Sequence, residues 1–222
     1  RRVLFRSQRA VHTTVAFGLV AGVLMTGVGV ALSPQILRWM DTPESVMRES
    51  VTYLQIYFAG SLGFVMYNVL VGILQAVGDS RHPLYYLIVS SVINLVLDLL
   101  FITGFHTGVG GAAVATVISQ IVSALLCFWQ LLRTKESYGL KIRKIRFDKG
   151  ILVQIIKIGL PSGVQNSIIA FANVIVQSNI NAFGEMAMAG YGAYTKVEGF
   201  GFLPINSFTM ALTTFVGQNL GA

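Results

Sequence analysis

Six long apolar segments, separated by short polar connections, divide the chain. Each is at or above the roughly 20 residues that a helix needs to cross the hydrocarbon core of a bilayer. Helices are the economical structure there, because backbone polar groups in lipid must be bonded within the segment. The pattern therefore predicts an all-α, polytopic membrane protein with six transmembrane helices. These segments are residues 11–32, 51–77, 83–105, 109–132, 151–183 and 186–216.

Two features of the segments concern how the helices pack. The last two segments are longer than one crossing requires, and they contain Pro161 and Pro204. Tilt, an interfacial first turn or a proline kink would absorb the excess length. In the first segment, Gly18 and Gly22 form a pair of small residues at a spacing that lets two helices approach closely.

The basic residues predict which ends of the helices face the cytoplasm. Residues 133–150, called the basic connection below, contain seven Lys and Arg, so this connection is predicted to be cytoplasmic. Counting crossings outward from it places residues 78–82 inside and residues 33–50 and 104–108 outside. A nucleic-acid or lipid patch is an alternative interpretation of the basic connection, but a solvated linker between two helical bundles is the simpler one.

Composition agrees with a membrane protein and excludes several kinds of site. Charged residues make up 11% of the chain, against about 25% in soluble domains. The single cysteine, Cys127, excludes an internal disulfide framework and a metal site of paired thiolates. His12, His82 and His106 lie at segment ends without metal-ligand spacing, and the sequence contains no GxSxG, HExxH or Walker motif.

Residues 1–7, RRVLFRS, resemble the in-frame translation of a common sequencing-library adapter. We expect them not to belong to the protein, although a genuine basic segment next to the membrane is the alternative. Without the three Arg of this segment, the net charge falls from +7 to +4. A chain that begins in this way and has no initial Met is expected to be an incomplete reading frame.

Asp98 is the strongest candidate for chemistry, because an ionisable side chain inside a span is costly. Asn94 lies one turn before it, so both project from one helix face. Asp98 precedes Phe105 by seven residues and Thr116 follows Val109 by seven, so both lie roughly 10 Å below the connecting turn. A carboxylate, an amide and a hydroxyl suit a monovalent cation such as Na⁺ on Asp98, or a proton. The alternative is a structural Asp satisfied by a neighbouring helix.

The sixth segment contains Lys196 and Glu198, which are two residues apart and do not share a helix face. Glu198 is either a coupling or substrate-binding acid, or an acid paired with Lys157 or with chain outside this sequence. Lys157 lies six residues into the fifth segment, and we expect its ammonium group to reach the inner interface.

The second segment is unusually rich in polar and aromatic residues for a helix that faces lipid, so part of it should line a cavity. Tyr53 and Tyr57 could alternatively form an interfacial belt. Aromatic rings and sulfur provide an adaptable surface for varied amphipathic cations. The predicted substrate surface consists of Tyr57, Phe64, Met66 and Asn68 here, and of Gln165 and Asn173 in the fifth segment.

Three stretches of the chain resemble the multidrug and toxic compound extrusion (MATE) transporters. They are residues 70–119 with a GDSRHP turn and an N-x3-D-x2-F pattern, KIGLPSGVQNS at 157–167, and residues 204–222 ending in GQNLGA. Family members have twelve helices in two bundles and exchange Na⁺ or H⁺ for organic cations and other amphipathic drugs. The resemblance implies that the six segments are helices three to eight. Residues 8–132 would then belong to the N-terminal bundle, 133–150 would connect the bundles, and 151–222 would begin the C-terminal bundle.

The resemblance also implies roles for particular residues. The family's N-terminal cation site combines an Asp of helix one with an Asn and an Asp one turn apart and a Thr on the next helix. The matching residues here are Asn94, Asp98 and Thr116, and the helix-one Asp lies outside this sequence. Some relatives also use an acid in helix seven, where this chain has only amides, and that departure favours the N-terminal site. These amides are Gln165, Asn166, Asn173 and Gln177.

The favoured function is therefore a Na⁺- or H⁺-coupled antiporter that exports amphipathic compounds across a bacterial or archaeal inner membrane by alternating access. We expect no cofactor besides the coupling ion, no nucleic-acid partner, and a monomer when full length. A lipid-linked oligosaccharide flippase of the same superfamily is the alternative, but flippases usually line the cavity with several Arg and these spans contain none. An intramembrane protease or acyltransferase would have only Asp98 and Glu198 as candidates, and a non-catalytic scaffold would not need Asp98.

Overall fold

The computed structural model describes residues 2–39, 44–134, 136, 138–181 and 183–220, without the side chains of residues 2–7, 45, 46, 174, 178, 181, 185, 188 and 220. All regular structure in these residues is helical. A π-helical turn, Leu100–Gly104, follows α4, and a 3-10 turn, Ile142–Lys144, lies in the basic connection. The helices are α1 (Arg2–Trp39), α2 (Glu44–Ala59), α3 (Ser61–Ala76), α4 (Arg81–Leu99), α5 (Gly108–Arg133), α6 (Lys149–Asn181) and α7 (Glu185–Leu220).

The helices account for the six predicted membrane spans. Among the described residues, five helices are long and apolar enough to cross a bilayer, and α2 with α3 makes a sixth if the bent pair is one span. The five are α1, α4 with its π-helical turn, α5, α6 and α7. The prediction of an all-α polytopic membrane protein is confirmed.

The second span differs from the predicted unbroken helix. Residues 51–77 are divided at Gly60, where α2 and α3 meet at an angle of 42°. Val117 of α5 occupies the space that a side chain at position 60 would take, so the absence of a Cβ allows the close approach. The N–H of Gly60 still donates to the carbonyls of Ile56 and Tyr57, at 3.2 and 3.1 Å.

The GDSRHP motif ends one helix and begins the next. Gly78 has a left-handed φ of 87°, and its N–H donates to the carbonyl of Gln75, while the N–H of Asp79 donates to the carbonyl of Leu74. These two bonds satisfy the last carbonyls of α3 in the manner of a Schellman motif. The carboxylate of Asp79 then accepts from the backbone N–H of His82 and lies 2.7 Å from its Nδ1.

Contacts divide the chain into two compact units, Arg1–Leu152 and Val153–Ala222. In the first unit, α1 packs on α2 and α3, both of these pack on α5, and α4 packs on α5. Gly18 and Gly22 provide the close approach of α1 to α3, because they face Val69 and Leu62.

The second unit consists of most of α6 together with α7. Pro161 and Pro204 lie inside helices that the structure assigns without a break. Nearly all the described side chains of this unit are exposed, including many large apolar ones. Such faces are expected to be covered by lipid or by further helices.

Candidate functional site

Asn94 and Asp98 lie one turn apart on α4 and are half-buried. The Oδ1 atom of Asp98 and the Nδ2 atom of Asn94 are themselves shielded from solvent, and neither has a hydrogen-bond partner among the described residues. Leaving a buried polar atom unpaired costs free energy, and buried polar groups in proteins are nearly always bonded. These two atoms are therefore available for a ligand.

Two contacts define how α5 lies beside this part of α4. A Cβ on Gly111 would lie 2.9 Å from the Cβ of Phe101, and the hydroxyl of Tyr86 donates to Oε1 of Gln130 at 3.3 Å. The helices are thus antiparallel. Asp98 precedes Phe101 by three residues, which is about 4.5 Å along the helix axis. Thr116 follows Gly111 by five residues, which is about 7.5 Å in the same direction, because the helices are antiparallel. The two side chains lie at similar depths.

Thr116 does not hydrogen-bond to the unpaired oxygen of Asp98. Its hydroxyl instead donates to the carbonyl of Ala112 on its own helix at 3.0 Å. Because that bond uses the hydroxyl proton, the lone pairs of the Thr116 oxygen stay free to accept a cation.

In the part of the chain that the structure describes, three further buried polar atoms lack a hydrogen-bond partner, and the sequence did not predict them. They are Oγ1 of Thr26 on α1, and Oε1 of Gln120 and Oγ of Ser123 on α5. Gln120 follows Thr116 by one helical turn, so the two project from the same face of α5. The i, i+4 spacing that connects Asn94 to Asp98 also connects Thr116 to Gln120 in the fourth apolar segment.

The candidate ligands are one carboxylate, that of Asp98, and the neutral amide and hydroxyl groups of Asn94 and Thr116 at similar depth. No group of three or more His, Cys, Asp or Glu residues that could hold a metal ion occurs in the part of the chain that the structure describes. One negative charge balances one monovalent cation or one proton, and an amide can present its oxygen after rotation of the side chain. The set of ligands therefore favours a singly charged ion.

The predicted substrate residues of the second span fall into two groups. Tyr57, Phe64 and Asn68 are exposed, and Tyr57 stacks on Tyr53 with ring centroids 6.3 Å apart. The side chain of Asn68 is held against α3, because its Nδ2 donates to the carbonyl of Phe64 at 2.8 Å.

Met66 does not belong with that exposed group. It is 8% exposed and lies in the hydrophobic core of the first unit, near Gly18 of α1. Two residues along a helix rotate a side chain by roughly 200°, so Met66 points away from the side on which Phe64 and Asn68 lie. We therefore correct the prediction and assign Met66 to the core.

In the second unit, Gln165 and Asn173 are exposed. Gln165 borders a shallow concavity next to Pro161 on α6. The sequence left open whether Glu198 pairs with Lys157, with chain outside this sequence or with an ion or substrate. In the structure its Oε1 accepts from the hydroxyl of Tyr194, one turn earlier on α7, at 2.9 Å.

Comparison with known proteins identifies the family. The MatE family model matches residues 6–100 and 161–222, which is more than half of the chain. The chain belongs to the MatE family. The resemblance of the sequence to MATE transporters is thereby confirmed. A family of transporters also decides against an intramembrane enzyme built on Asp98 and Glu198.

Curated relatives of this MatE chain carry names that refer to drug resistance. The probable multidrug resistance protein YoeA of Bacillus subtilis is 32% identical over 224 residues, covering 98% of this chain and 48% of the relative. YpnP of the same organism, with the same description, is 33% identical over 206 residues, covering 90% and 46%. The chain thus spans about half the length of these relatives.

Solved structures agree with the fold. A MOP superfamily transporter from Pyrococcus furiosus superposes with a TM-score of 0.86 at 27% identity, covering 97% of this chain and 48% of that one. A multidrug resistance MATE transporter in an outward-facing conformation superposes with a TM-score of 0.84 at 25% identity, covering 99% and 52%. The chain is therefore part of an integral, multi-pass membrane protein.

Proposed function

We propose that this chain is part of a twelve-helix exporter of amphipathic compounds, driven by Na⁺ or H⁺ across a bacterial or archaeal inner membrane. The observation that supports it most strongly is that, inside a membrane span, the Oδ1 atom of Asp98 and the Nδ2 atom of Asn94 are buried without a hydrogen-bond partner among the described residues. The multidrug names of the relatives support the substrate class. The full-length protein is proposed to act as a monomer and to need no cofactor besides the coupling ion.

In the proposed mechanism, the carboxylate of Asp98 binds either a proton or Na⁺. A proton and Na⁺ both bind to carboxylate oxygens, so the two ions compete for the same site. Asn94 and Thr116 contribute neutral ligands to the ion. An ion that binds one orientation of the bundles better than the other shifts the population toward that orientation. The ion gradient thereby gives export its direction.

The coupling proposal is tested by dye efflux from cells that lack their own pumps and express the full-length protein. We expect efflux to stop when the gradient of the coupling ion is collapsed by the matching ionophore, although ATP is still present. Efflux that continues after both the Na⁺ and the H⁺ gradient are collapsed would contradict ion coupling.

We expect substrate selectivity to be broad. Exposed aromatic rings such as those of Tyr57 and Phe64 bind varied cationic compounds by apolar and cation–π contact, without a fixed hydrogen-bond lattice. Competition among structurally unrelated cationic dyes for efflux measures this property. A protein that carried one small metabolite at high selectivity would require us to abandon the drug assignment.

The alternative substrate is a lipid-linked oligosaccharide. The Pyrococcus furiosus relative is described as having a binding pocket of reversed polarity that suggests a different function. A pocket for an anionic lipid diphosphate should contain several cationic side chains, whereas the six apolar segments predicted from the sequence contain no Arg. Drug export is therefore the better supported function.

The proposed orientation places the basic connection in the cytoplasm. Ser137, a natural labelling position, lies outside the described residues, so we choose Phe147, which is exposed, and His106 in the opposite connection, also exposed. The native thiol of Cys127 is fully buried and gives little background labelling.

A membrane-impermeant maleimide applied to intact cells should label a His106→Cys variant and should not label a Phe147→Cys variant. The reverse pattern would invert the topology.

A further inference from the structure

A cavity of about 280 Å³ lies between the beginning of α1 and the basic connection. Four of its lining residues are cationic: Arg9 on α1, and Arg143, Lys144 and Arg146 in the basic connection. This basic cavity lies within the first unit. The cavity lies at the end of the helices that we propose to face the cytoplasm, whereas Asp98 lies toward the opposite end of α4.

The cavity contains more positive charge than its own carboxylate can balance. Asp148 is the acidic residue of the lining, and its Oδ2 lies 3.4 Å from Arg9. Its Oδ1 accepts from the N–H groups of Gly150 and Ile151 at the start of α6, at 3.1 and 3.3 Å. Among the described residues, Arg143, Lys144 and Arg146 form no ion pair. The cavity therefore has three unbalanced positive charges.

The backbone that carries these cations is fixed in place. His12 is 3% exposed, and its Nε2 accepts from the N–H of Lys141 at 3.0 Å. Thr13 is fully buried, and its hydroxyl accepts from the N–H of Asp148 at 3.1 Å and donates to the carbonyl of Arg146 at 3.3 Å. The basic connection is thus attached to α1 on both sides of the 3-10 turn. The cations are held in a formed cavity rather than on a loose linker.

Two apolar side chains point outward beside the cations. Ile142 is 60% exposed and Phe147 is 47% exposed. Exposed apolar side chains at the rim would not help a cavity to bind free phosphate from water. At a membrane surface, in contrast, cationic side chains bind lipid headgroups and apolar side chains contact the acyl chains just below them. The combination favours an anionic group that is attached to hydrocarbon.

We propose that the basic cavity binds the phosphate of an anionic phospholipid headgroup from the inner leaflet. Arg143 and Arg146 contact the phosphate oxygens, because guanidinium groups form paired, charge-assisted hydrogen bonds with phosphate. Ile142 and Phe147 contact the lipid at the level where the headgroup meets the acyl chains. The site fixes the start of α1 and the basic connection to the membrane surface, and it does not depend on transport activity.

Native mass spectrometry of the full-length protein tests this proposal with equal concentrations of phosphatidylglycerol and phosphatidylcholine. We expect retained phosphatidylglycerol, and an affinity that falls about 30-fold in the Arg143→Gln/Arg146→Gln double variant, which loses two charges near the membrane surface. The Arg143→Lys/Arg146→Lys variant keeps the charges but cannot form the paired bonds, so its affinity should lie between those of the wild type and the Gln variant. A melting temperature of the Gln variant close to that of the wild type shows that its loss of binding is not loss of folding.

The matched control removes two positive charges outside the cavity, in an Arg133→Gln/Lys157→Gln variant. Arg133 is engaged with the ring of Trp129, with its Cζ 4.1 Å from the ring centroid. This control should bind phosphatidylglycerol nearly as well as the wild type. Equal losses in the two Gln variants would show diffuse attraction and overturn the proposal. So would equal binding of phosphatidylcholine, or displacement of the lipid by millimolar inorganic phosphate.

Discussion

Asp98→Asn is expected to abolish ion-driven export and to leave the protein inserted in the membrane. The substitution keeps the size and most of the hydrogen-bonding capacity of the side chain but removes the only charge of α4 within the membrane. Without that charge, neither a proton nor Na⁺ is held at the site, and the membrane potential, worth about 2.3 kcal/mol per charge for each 100 mV, no longer acts on it. Whole-cell dye efflux should fall to the level of cells without the transporter.

The neighbouring ligands should have smaller effects than the carboxylate. Asn94→Ala and Thr116→Ala each remove one neutral ligand and keep the charge, so we expect export to survive with a higher ion requirement. Glu198→Gln is the matched control, because Glu198 is the other acid within the spans and already has Tyr194 as a partner. If Glu198→Gln stopped coupled export and Asp98→Asn did not, the coupling site would have to be moved to α7.

Gly60→Val is expected to destabilise the first unit strongly. A Cβ at this position would lie 2.7 Å from Cγ1 and 3.0 Å from Cβ of Val117, and the side chain of Val adds two more carbons. Overpacking of this kind typically costs about 1–3 kcal/mol. Because the contact joins α5 to the bend between α2 and α3, the helices would have to separate. A lower melting temperature in detergent is the expected result.

Gly72→Val is the control for that substitution. Gly72 lies in α3, the helix that follows the bend, and a Cβ at this position would meet nothing within 4 Å among the described residues. Gly60 lies at the break before α3 and Gly72 lies inside α3, so Gly72→Val shows what the same side chain does to the helix without a clash, and a larger loss in Gly60→Val reports the contact with Val117. Equal melting temperatures would show that the close approach of Gly60 to α5 contributes nothing to stability.

Hydropathy and spacing in the sequence predict the spans and the central pair of site residues. The six apolar segments correspond to five long helices and one bent pair, because crossing a bilayer requires length and apolar composition and little else. The neighbouring positions of Asn94 and Asp98 follow from the helical repeat alone. The hydrogen-bond partners of their atoms, in contrast, depend on the facing helix. Residue spacing alone does not show that the hydroxyl of Thr116 donates to the carbonyl of Ala112.

Features that depend on contacts between distant residues were not predicted. The bend at Gly60 lies against Val117 of α5, and the basic connection is attached to α1 through His12 and Thr13, more than 120 residues away in the chain. Met66 was misassigned for a related reason. In a helix that is apolar on all sides, the sequence pattern does not distinguish the side that faces the core from the side that faces lipid or a cavity.

The central claim is that the site around Asp98 couples an ion gradient to export. The most direct measurement uses the full-length protein in proteoliposomes, with a Na⁺ or H⁺ gradient imposed as the only source of energy and the movement of a fluorescent cationic drug recorded. The account predicts that one of these gradients drives drug accumulation by the wild type, and that the Asp98→Asn variant shows none. Equal gradient-driven accumulation by both proteins would contradict the account and would show that Asp98 has only a structural role.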